Sequence, residues 1–217
     1  MQVAIRPAAV AAQREVPESW YAVKRLVDLV LGSFLFLLAL PVIAIAALGI
    51  VGVTGGTPFY AQERVGYRGR RFKMYKLRTM VNGAHAMRED VMHLNECNGP
   101  VFKIRRDPRL HPLGSFLRQT SIDELPNLLN VLAGDMSLVG PRPALPCEVE
   151  HYDAFAMRRL SVPQGLTCYW QINGRSQVSF DEWMELDNRY VDSWTPVSDL
   201  TIIIKTIPAV LRRNGAH

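Results

Sequence analysis

The longest apolar run of the chain lies close to its N-terminus. No charged residue occurs between Asp28 and Glu63, and residues 29–53 form a predominantly hydrophobic stretch. A stretch of this length can cross roughly 30 Å of hydrocarbon as a helix. It exceeds the apolar core of roughly 7 to 15 residues found in a cleaved signal peptide. The pattern therefore predicts a helix that stays in the membrane.

Basic residues flank this stretch on both sides. Lys24 and Arg25 precede it, and seven lysines and arginines follow it between Arg64 and Arg78. Because positive charge favours the cytosolic side, both ends are predicted to lie there. Pro41, near the middle, bends or breaks a helix. We therefore predict a re-entrant hairpin with its break at Pro41, and the alternative is an ordinary span kinked at Pro41.

The rest of the chain predicts short elements joined by long loops. Turn residues at Gly66 and Gly69, and alternation at Phe72, Met74 and Lys76, indicate a short hairpin or extended strands within residues 54–80. Helices are expected at residues 82–98, 125–132, 148–160, 180–191 and 199–213, and a strand followed by a turn at 101–109. The predicted fold class is α/β, helix-rich and irregular, with one N-terminal re-entrant membrane helix hairpin. It is the fold of a monotopic membrane protein.

The chain length of 217 residues suits one catalytic body with one further element. The predicted parts are a flexible leader at 1–23, the re-entrant membrane helix at 24–56, and a cytosolic catalytic domain with interfacial helices at 57–217.

The charge balance indicates an anionic partner. The net charge is +5 and the sequence pI about 9.3, which suits nucleic acid, an acidic membrane surface or a phosphorylated substrate. The basic cluster directly follows the membrane stretch and no nucleic-acid motif accompanies it, so we expect no nucleic-acid partner. The three cysteines and five histidines show no metal-binding spacing, and neither a GxGxxG nor a Walker A motif occurs.

Two adjacent carboxylates, Asp123 and Glu124, are the first candidates for chemistry. Pro126 is tolerated in the first turn of a helix, so both carboxylates are expected where a helix starts. Neighbours on a helix point about 100° apart, so the two groups address different targets. One could attack phosphorus while the other holds a hard cation such as Mg²⁺. The alternative is an ordinary capping box formed by Ser121 and Glu124.

Five basic residues are candidate phosphate-binding groups. Arg142 lies between two prolines, Arg175 follows a turn signal, and Arg118 lies five residues before the carboxylates. Guanidinium groups bind phosphate in a bidentate manner, and phosphoryl transfer depends on positioning and charge neutralisation. Lys76 and Arg78 are expected to bind either a diphosphate or lipid headgroups. Each of these residues could alternatively be a solvated surface cation.

Ordered motifs identify a family. The segments KRLVDLVLG, QERVG, KLRTM, LRQTSIDELPNLLNVLAGDMSLVGPRP, PQGLTCYWQINGR and DNRYVDSW resemble the bacterial sugar transferase family, the monotopic phosphoglycosyl transferases. The resemblance extends over residues 24–212 and is most specific at DELP and GDMSLVGPRP.

The resemblance implies a two-step reaction. Asp123 would attack the β-phosphate of a UDP-sugar, expel UMP and hold a covalent phosphosugar, which polyprenyl (undecaprenyl) phosphate then accepts. Glu124 would carry Mg²⁺. The groups implied to handle phosphates are Lys76, Arg118, Arg142 and Arg175. Asp187 or Asp199 would support the site.

The resemblance also implies a location and partners. The enzyme would lie in the bacterial inner membrane with its site facing the cytosol, use a UDP-sugar and a polyprenyl phosphate lipid, and serve an early membrane step of glycoconjugate or exopolysaccharide synthesis. The sugar and the oligomeric state, including a homo-oligomer, stay open. Two other classes compete: a membrane glycosyltransferase that releases UDP, and a non-enzymatic membrane adaptor.

Overall fold

A single long helix begins the part of the chain that the structure describes. The structure is a computed structural model that describes residues 16–97, 99–102, 104–173 and 178–211. Helix α1 (Glu18–Thr54) has 37 residues and ends at Gly55, whose φ of 62° is the left-handed conformation common after a helix. By length and composition it can cross a membrane. Its helical assignment continues through Pro41, so a re-entrant hairpin is not shown and stays a prediction.

One stripe of α1 packs against the rest of the protein, and its other faces are apolar and exposed. The buried residues recur at intervals of four or seven, which keeps them on one side of a helix. They are Lys24, Asp28, Gly32, Ala39, Ile43 and Ile50. Leu37, Ile45 and Leu48 are each at least 65% exposed. Exposed side chains of this kind suit contact with lipid rather than water.

The predicted strand hairpin is confirmed. Strand β1 (Phe59–Val65) pairs antiparallel with β2 (Arg71–Leu77), with Phe59 opposite Leu77 and Val65 opposite Arg71. The turn between them needs positive φ angles at Arg68 (54°) and Gly69 (79°). Alternate residues of β2 are buried, so the strand presents one face to the core and the other to the surface.

Short elements build the remainder. The helices are α2 (Gly114–Gln119), α3 (Asn127–Ala133), α4 (Pro146–Val149), α5 (Ala154–Met157), α6 (Tyr169–Ile172), α7 (Phe180–Ser193) and α8 (Pro196–Leu211). Single turns of 3₁₀ helix occur at Tyr67–Gly69, Ala86–Arg88, Met92–Leu94, Ile122–Glu124 and Arg158–Ser161. Strand β3 (Ser137–Val139) pairs parallel with β4 (Gly165–Thr167). The helix-rich α/β architecture is confirmed.

The β3–β4 pair depends on the close approach of Gly140, just after β3, to Gly165, the first residue of β4. A Cβ built on Gly140 would lie 2.1 Å from the Pro163 carbonyl oxygen, and one built on Gly165 would lie 2.1 Å from the Gly140 nitrogen. No side chain fits at these distances, so the loop after β3 passes directly over the start of β4. This crossing positions the segment that carries Arg142.

Three sequence predictions were wrong in detail. Residues 82–97 contain two 3₁₀ turns rather than a helix, residue 98 lies outside the described residues, and the described part of 101–109 contains no strand. Side-chain contacts organise this region instead, since Phe102 lies between the guanidinium groups of Arg88 and Arg109. The predicted helix at 148–160 is divided because Asp153 accepts a hydrogen bond from the Ala156 amide at 2.8 Å and starts a new helix.

Candidate active site

The carboxylate pair lies on a 3₁₀ turn that leads into α3. Ser121 has a φ of 57°, and its side chain makes no capping hydrogen bond, so the predicted alternative of a Ser121–Glu124 capping box is wrong. Pro126 stands just before α3, where its missing amide hydrogen costs no helical bond. Asp123 is 7% exposed. The turn thus directs both carboxylates into the protein, where neither acts as a helix cap.

Glu124 is held by two cations from distant parts of the chain. Lys76, at the end of β2, donates from Nζ to Oε1 at 2.9 Å. Arg142 donates to both carboxylate oxygens, at 3.2 Å to Oε2 and at a shorter distance to Oε1. Burial alone raises the pKa of Glu124, but the charges of Arg142 and Lys76 outweigh it and hold that pKa well below its usual range. Glu124 is therefore an anion at neutral pH.

Asp123 has a different environment from its neighbour. Burial raises its pKa to about 6, and the charge of Glu124 adds to the effect, while Lys76, Arg118 and Arg142 oppose it. Among the described residues no group donates a hydrogen bond to its carboxyl oxygens. An anion that is poorly solvated and has free lone pairs is a stronger nucleophile than a solvated one. The two neighbouring carboxylates are thus set apart, one paired and one available.

The other predicted cations surround this pair at different depths. Arg118 donates from Nε to the Thr79 hydroxyl at 3.1 Å, which fixes its guanidinium beside Asp123. Arg78 is more exposed and contacts Thr57, close to the end of α1. Arg175 lies outside the described residues. The structure therefore brings together Lys76, Arg118 and Arg142 around the carboxylates, with Arg78 on the side of the cavity near the end of α1.

These groups line one large cavity of about 1600 Å³. Its charged part contains Asp123, Glu124, Lys76, Arg118 and Arg142. Its apolar part is formed by α1 and α8, through Leu31, Leu35, Ile203, Ile207 and Val210. A single cavity with both surfaces can admit a molecule that has an anionic head and an apolar tail.

Asp187 and Asp199 do not line this cavity. Asp187 forms a buried ion pair with Arg159, with 2.7 Å between Oδ2 and Nη2. Asp199 accepts hydrogen bonds from Lys24 Nζ at 2.6 Å and from Tyr190 at 2.8 Å. Any support they give the chemistry is therefore indirect, and their predicted role stays a prediction.

Sequence reasoning missed two arginines that hold the Arg142 segment. Arg64 donates from Nη1 to the Pro143 carbonyl at 3.0 Å, and Arg159 donates from Nη2 to the Arg142 carbonyl at 2.7 Å. Nothing in the local sequence distinguishes Arg159 from the adjacent Arg158. Their role depends on contacts between residues far apart in the chain.

Comparison with known proteins decides the family. The model of the bacterial sugar transferase family matches residues 19–213, which covers most of the chain. The chain belongs to the bacterial sugar transferase family. This match confirms the family resemblance of the sequence motifs.

Three relatives illustrate the range of this family. The chain is 42% identical over 194 residues to the galactosyl transferase CpsE of Streptococcus agalactiae, covering 89% of this chain and 43% of that protein. It is 38% identical over 202 residues to the undecaprenyl-phosphate galactose phosphotransferase of Salmonella typhimurium, covering 89% and 41% respectively. It is 38% identical over 198 residues to the exopolysaccharide production protein ExoY of Rhizobium meliloti, covering 89% and 88%. The chain thus spans less than half of the first two proteins and most of the third.

Proposed function

We propose that this bacterial sugar transferase moves a sugar 1-phosphate from a UDP-sugar to polyprenyl phosphate and releases UMP. The observation that carries the proposal is the buried, unpaired carboxyl of Asp123 beside three cations in a cavity that also has an apolar wall. The names of two relatives add a galactosyl transfer and an undecaprenyl phosphate acceptor. A galactose donor is accordingly the first one to test.

In the first proposed step, a carboxylate oxygen of Asp123 forms a bond to the β-phosphorus of the donor. The bond between that phosphorus and the bridging oxygen breaks, and UMP leaves with the electron pair. Lys76, Arg118 and Arg142 lie where they can neutralise the diphosphate charge, which is the main demand of phosphoryl transfer. Asp123 then carries the sugar phosphate as an acyl phosphate.

In the second proposed step, an oxygen of polyprenyl phosphate attacks the same phosphorus. The bond to Asp123 breaks, the carboxylate is regenerated, and the product is a polyprenyl diphosphate sugar. The apolar wall supplied by α1 and α8 gives the lipid a place beside the charged groups. Arg78, which follows β2 and contacts Thr57 near the end of α1, is suited to hold the acceptor phosphate while the deeper cations hold the donor.

The carboxylate pair fits a magnesium ion of the kind that binds through one or two carboxylates plus substrate phosphates. Among the described residues no group of three or more potential ligands occurs, so donor phosphates would complete the set. We propose that Glu124 holds the ion. When bound it would supply charge neutralisation at the diphosphate. Because Lys76 and Arg142 now occupy Glu124, the donor phosphates must first attract these cations away.

We further propose that α1 enters and leaves the inner membrane on its cytosolic face. Both ends of α1 pack against the same body, since Lys24 bonds to Asp199 at one end and Ile50 is fully buried near the other. A Cβ at Gly49 would lie 3.2 Å from Leu113 Cδ1, so the second end is also closely packed. Impermeant maleimide should label Glu18→Cys and Glu63→Cys from the same side; labelling from opposite sides would exclude the hairpin.

The decisive test of function is the identity of the nucleotide released. The full chain is incubated with UDP-galactose, UDP-glucose and UDP-N-acetylhexosamines, with Mg²⁺ and undecaprenyl phosphate, beside Asp123→Asn. We expect UMP from the parent and none above background from the variant. UDP as the product would indicate a glycosyltransferase, and UMP release that persists in Asp123→Asn would exclude the proposed nucleophile. No nucleotide from any donor would favour a membrane adaptor.

A further inference from the structure

The segment that carries Arg142 is fixed at successive carbonyl groups. Gly165 N–H donates to the Pro141 carbonyl at 2.9 Å, and Val65 N–H donates to the Ala144 carbonyl at 2.9 Å. The two carbonyls between them are held by side chains of Arg159 and Arg64, as described above. Each carbonyl from 141 to 144 thus has a donor outside the segment, and the four donors come from three separate parts of the chain. The backbone beneath the Arg142 side chain has little freedom to shift.

Arg159 is the most constrained of these donors. It has no exposed surface, and its guanidinium bonds to the Tyr152 hydroxyl at 2.7 Å besides its ion pair with Asp187. Its Cζ lies 5.7 Å from the Tyr152 ring centre and 5.1 Å from that of Trp183. Gln164 donates to its backbone carbonyl at 2.8 Å. A guanidinium held on this many sides keeps one orientation.

Arg159 nevertheless does not line the active-site cavity, and neither do Asp187 and Tyr152. It reaches the charged part of the site through the carbonyl of Arg142, and it also lies against Trp183, whose side chain lines the cavity. Arg142 in turn reaches Glu124 with both of its terminal nitrogens. The chain of contacts therefore runs from Asp187 through Arg159 to Arg142 and ends at the carboxylate pair.

From this arrangement we propose that Arg159, oriented by Asp187 and Tyr152, is a positioning residue that sets the place of the Arg142 guanidinium for the donor diphosphate. The proposal rests on the function proposed above, in which Arg142 binds that diphosphate. With its backbone fixed, the Arg142 guanidinium that turns from Glu124 to the donor phosphates is in place before the chemical step, and a preorganised cation stabilises the charge that develops in that step. A displacement of about 1 Å at such a group lowers turnover by about 10²-fold.

Arg158 provides a matched control. It precedes Arg159 directly and pairs with Asp192 of the same helix α7 that carries Asp187. The Asp192 side chain is 59% exposed, whereas that of Asp187 is 1% exposed. The two arginine–carboxylate pairs thus differ mainly in burial and in the contact with Arg142.

The test is a double-mutant cycle between Arg159 and Arg142. UDP binding is measured by isothermal titration calorimetry, and UMP release by turnover, for Arg159→Lys, Arg142→Ala and the double variant in the full chain. We expect Arg159→Lys to lower turnover by about 10²-fold in the parent and to have little further effect when Arg142 is already alanine. UDP affinity should show the same dependence, with a loss of about 10-fold or more for Arg142→Ala. Arg158→Lys should change neither quantity.

A purely structural role gives a different result. Arg159→Lys would then lower activity by the same factor in both backgrounds, in proportion to the folded fraction, and the proposal would be wrong. If Arg159→Lys does not fold, Tyr152→Phe removes one bond to the guanidinium and should give a smaller loss that again disappears with Arg142→Ala. A Tyr152→Phe variant without any effect would also count against the proposal.

The two proposals can fail separately. A parent that binds UDP through Arg142 and Arg159 but releases no UMP would overturn the proposed reaction and leave the positioning role intact. If UMP release by the parent depends on Asp123, but the losses of turnover caused by Arg159→Lys and Arg142→Ala are additive, the proposed reaction stands and the positioning role is wrong. A parent that binds no UDP would overturn both.

Discussion

Two buried charge networks of this bacterial sugar transferase show how similar side chains serve different purposes. In the anchor network, Lys24 of α1 meets Asp199 at 2.6 Å, and Tyr190 and Trp194 donate to the same carboxylate at 2.8 and 3.1 Å. One cation faces one anion, and neutral donors complete the shell. These contacts hold α1 against the rest of the protein, and they occupy the Asp199 carboxylate so that it is not available to bind a ligand.

The site network has an imbalance instead. Lys76, Arg118 and Arg142 bring three positive charges to two carboxylates, of which Glu124 is directly paired. Asp123 stays desolvated, and no residue in the described part of the chain donates a hydrogen bond to it. The difference teaches that an excess of cations with an unbonded anion marks a place for anionic substrate, whereas a balanced and saturated pair marks structure. Sequence motifs alone predicted a catalytic role for Asp123 and a supporting role for Asp199, but did not show which carboxylate would be paired.

Exchanging one carboxylate of each network for its amide should give opposite phenotypes. Asp123→Asn should lower UMP release by at least about 10⁴-fold, as expected for loss of a nucleophile, while its unfolding midpoint stays the same or rises. The raised pKa of Asp123 means that its ionised form is less favourable in the folded than in the unfolded protein at pH 7.5. Removing this charge should therefore not lower the unfolding free energy. Asp199→Asn should keep the turnover of the folded fraction but destabilise the protein.

The measurements are UMP release per folded molecule and denaturant unfolding in detergent micelles. If Asp199→Asn abolishes the turnover of well-folded enzyme, the anchor network takes part in the chemistry, and the distinction drawn between the two networks is wrong.

The anchor network can be tested by removing both charges. Lys24→Met should cost about 3 to 5 kcal/mol of unfolding free energy, because it leaves Asp199 buried and uncompensated. Adding Asp199→Leu should recover part of this loss. Replacing both members of a buried ion pair by apolar groups lowers the unfolding free energy less than removing one member and leaving the other charge unpaired. Chemical unfolding of the two single variants and the double variant gives the coupling.

The exposed pair Arg70–Asp135 is the control for this experiment. The Arg70 side chain is 75% exposed, so Arg70→Gln should change stability by less than about 1 kcal/mol. Equal losses for Lys24→Met and Arg70→Gln would show that the anchor network contributes no more than a surface ion pair.

The smallest expected effect is a shift in pH dependence. The ionised form of Asp123 is the nucleophile, so first-turnover UMP release without acceptor should rise with pH and have its midpoint near the pKa of about 6. Glu124→Gln removes a neighbouring negative charge that raises this pKa, so the midpoint should move to lower pH. Asp192→Asn, at an exposed ion pair, should leave the midpoint unchanged. A midpoint that moves upward in Glu124→Gln would contradict the proposed coupling between the two carboxylates.

Local patterns predicted the elements whose cause is local. The apolar stretch at residues 29–53 became α1, the glycines near 66 and 69 formed the turn of β1 and β2, and Gly134 ended α3 in a left-handed conformation with a φ of 85°. Residues 82–98 were predicted as a helix because their composition permits one. The Phe102 ring contacts Arg88, which lies within 82–98, and also Arg109. Contacts between residues this far apart in sequence do not appear in a local pattern of helix-forming residues.

The sequence by itself determined the family, the long apolar helix and the residue types of the site. Adjacent carboxylates, an arginine between prolines and a basic cluster beside an apolar run are legible from spacing. Only the tertiary structure decided that Glu124 is paired and Asp123 is not, because both of Glu124's partners, Lys76 and Arg142, are distant in the chain. It also decided that Arg159 is buried behind Arg142 while Arg158 is not. Burial and ion pairing depend on residues that are distant in the sequence and close in the fold. No single sequence motif contains that information.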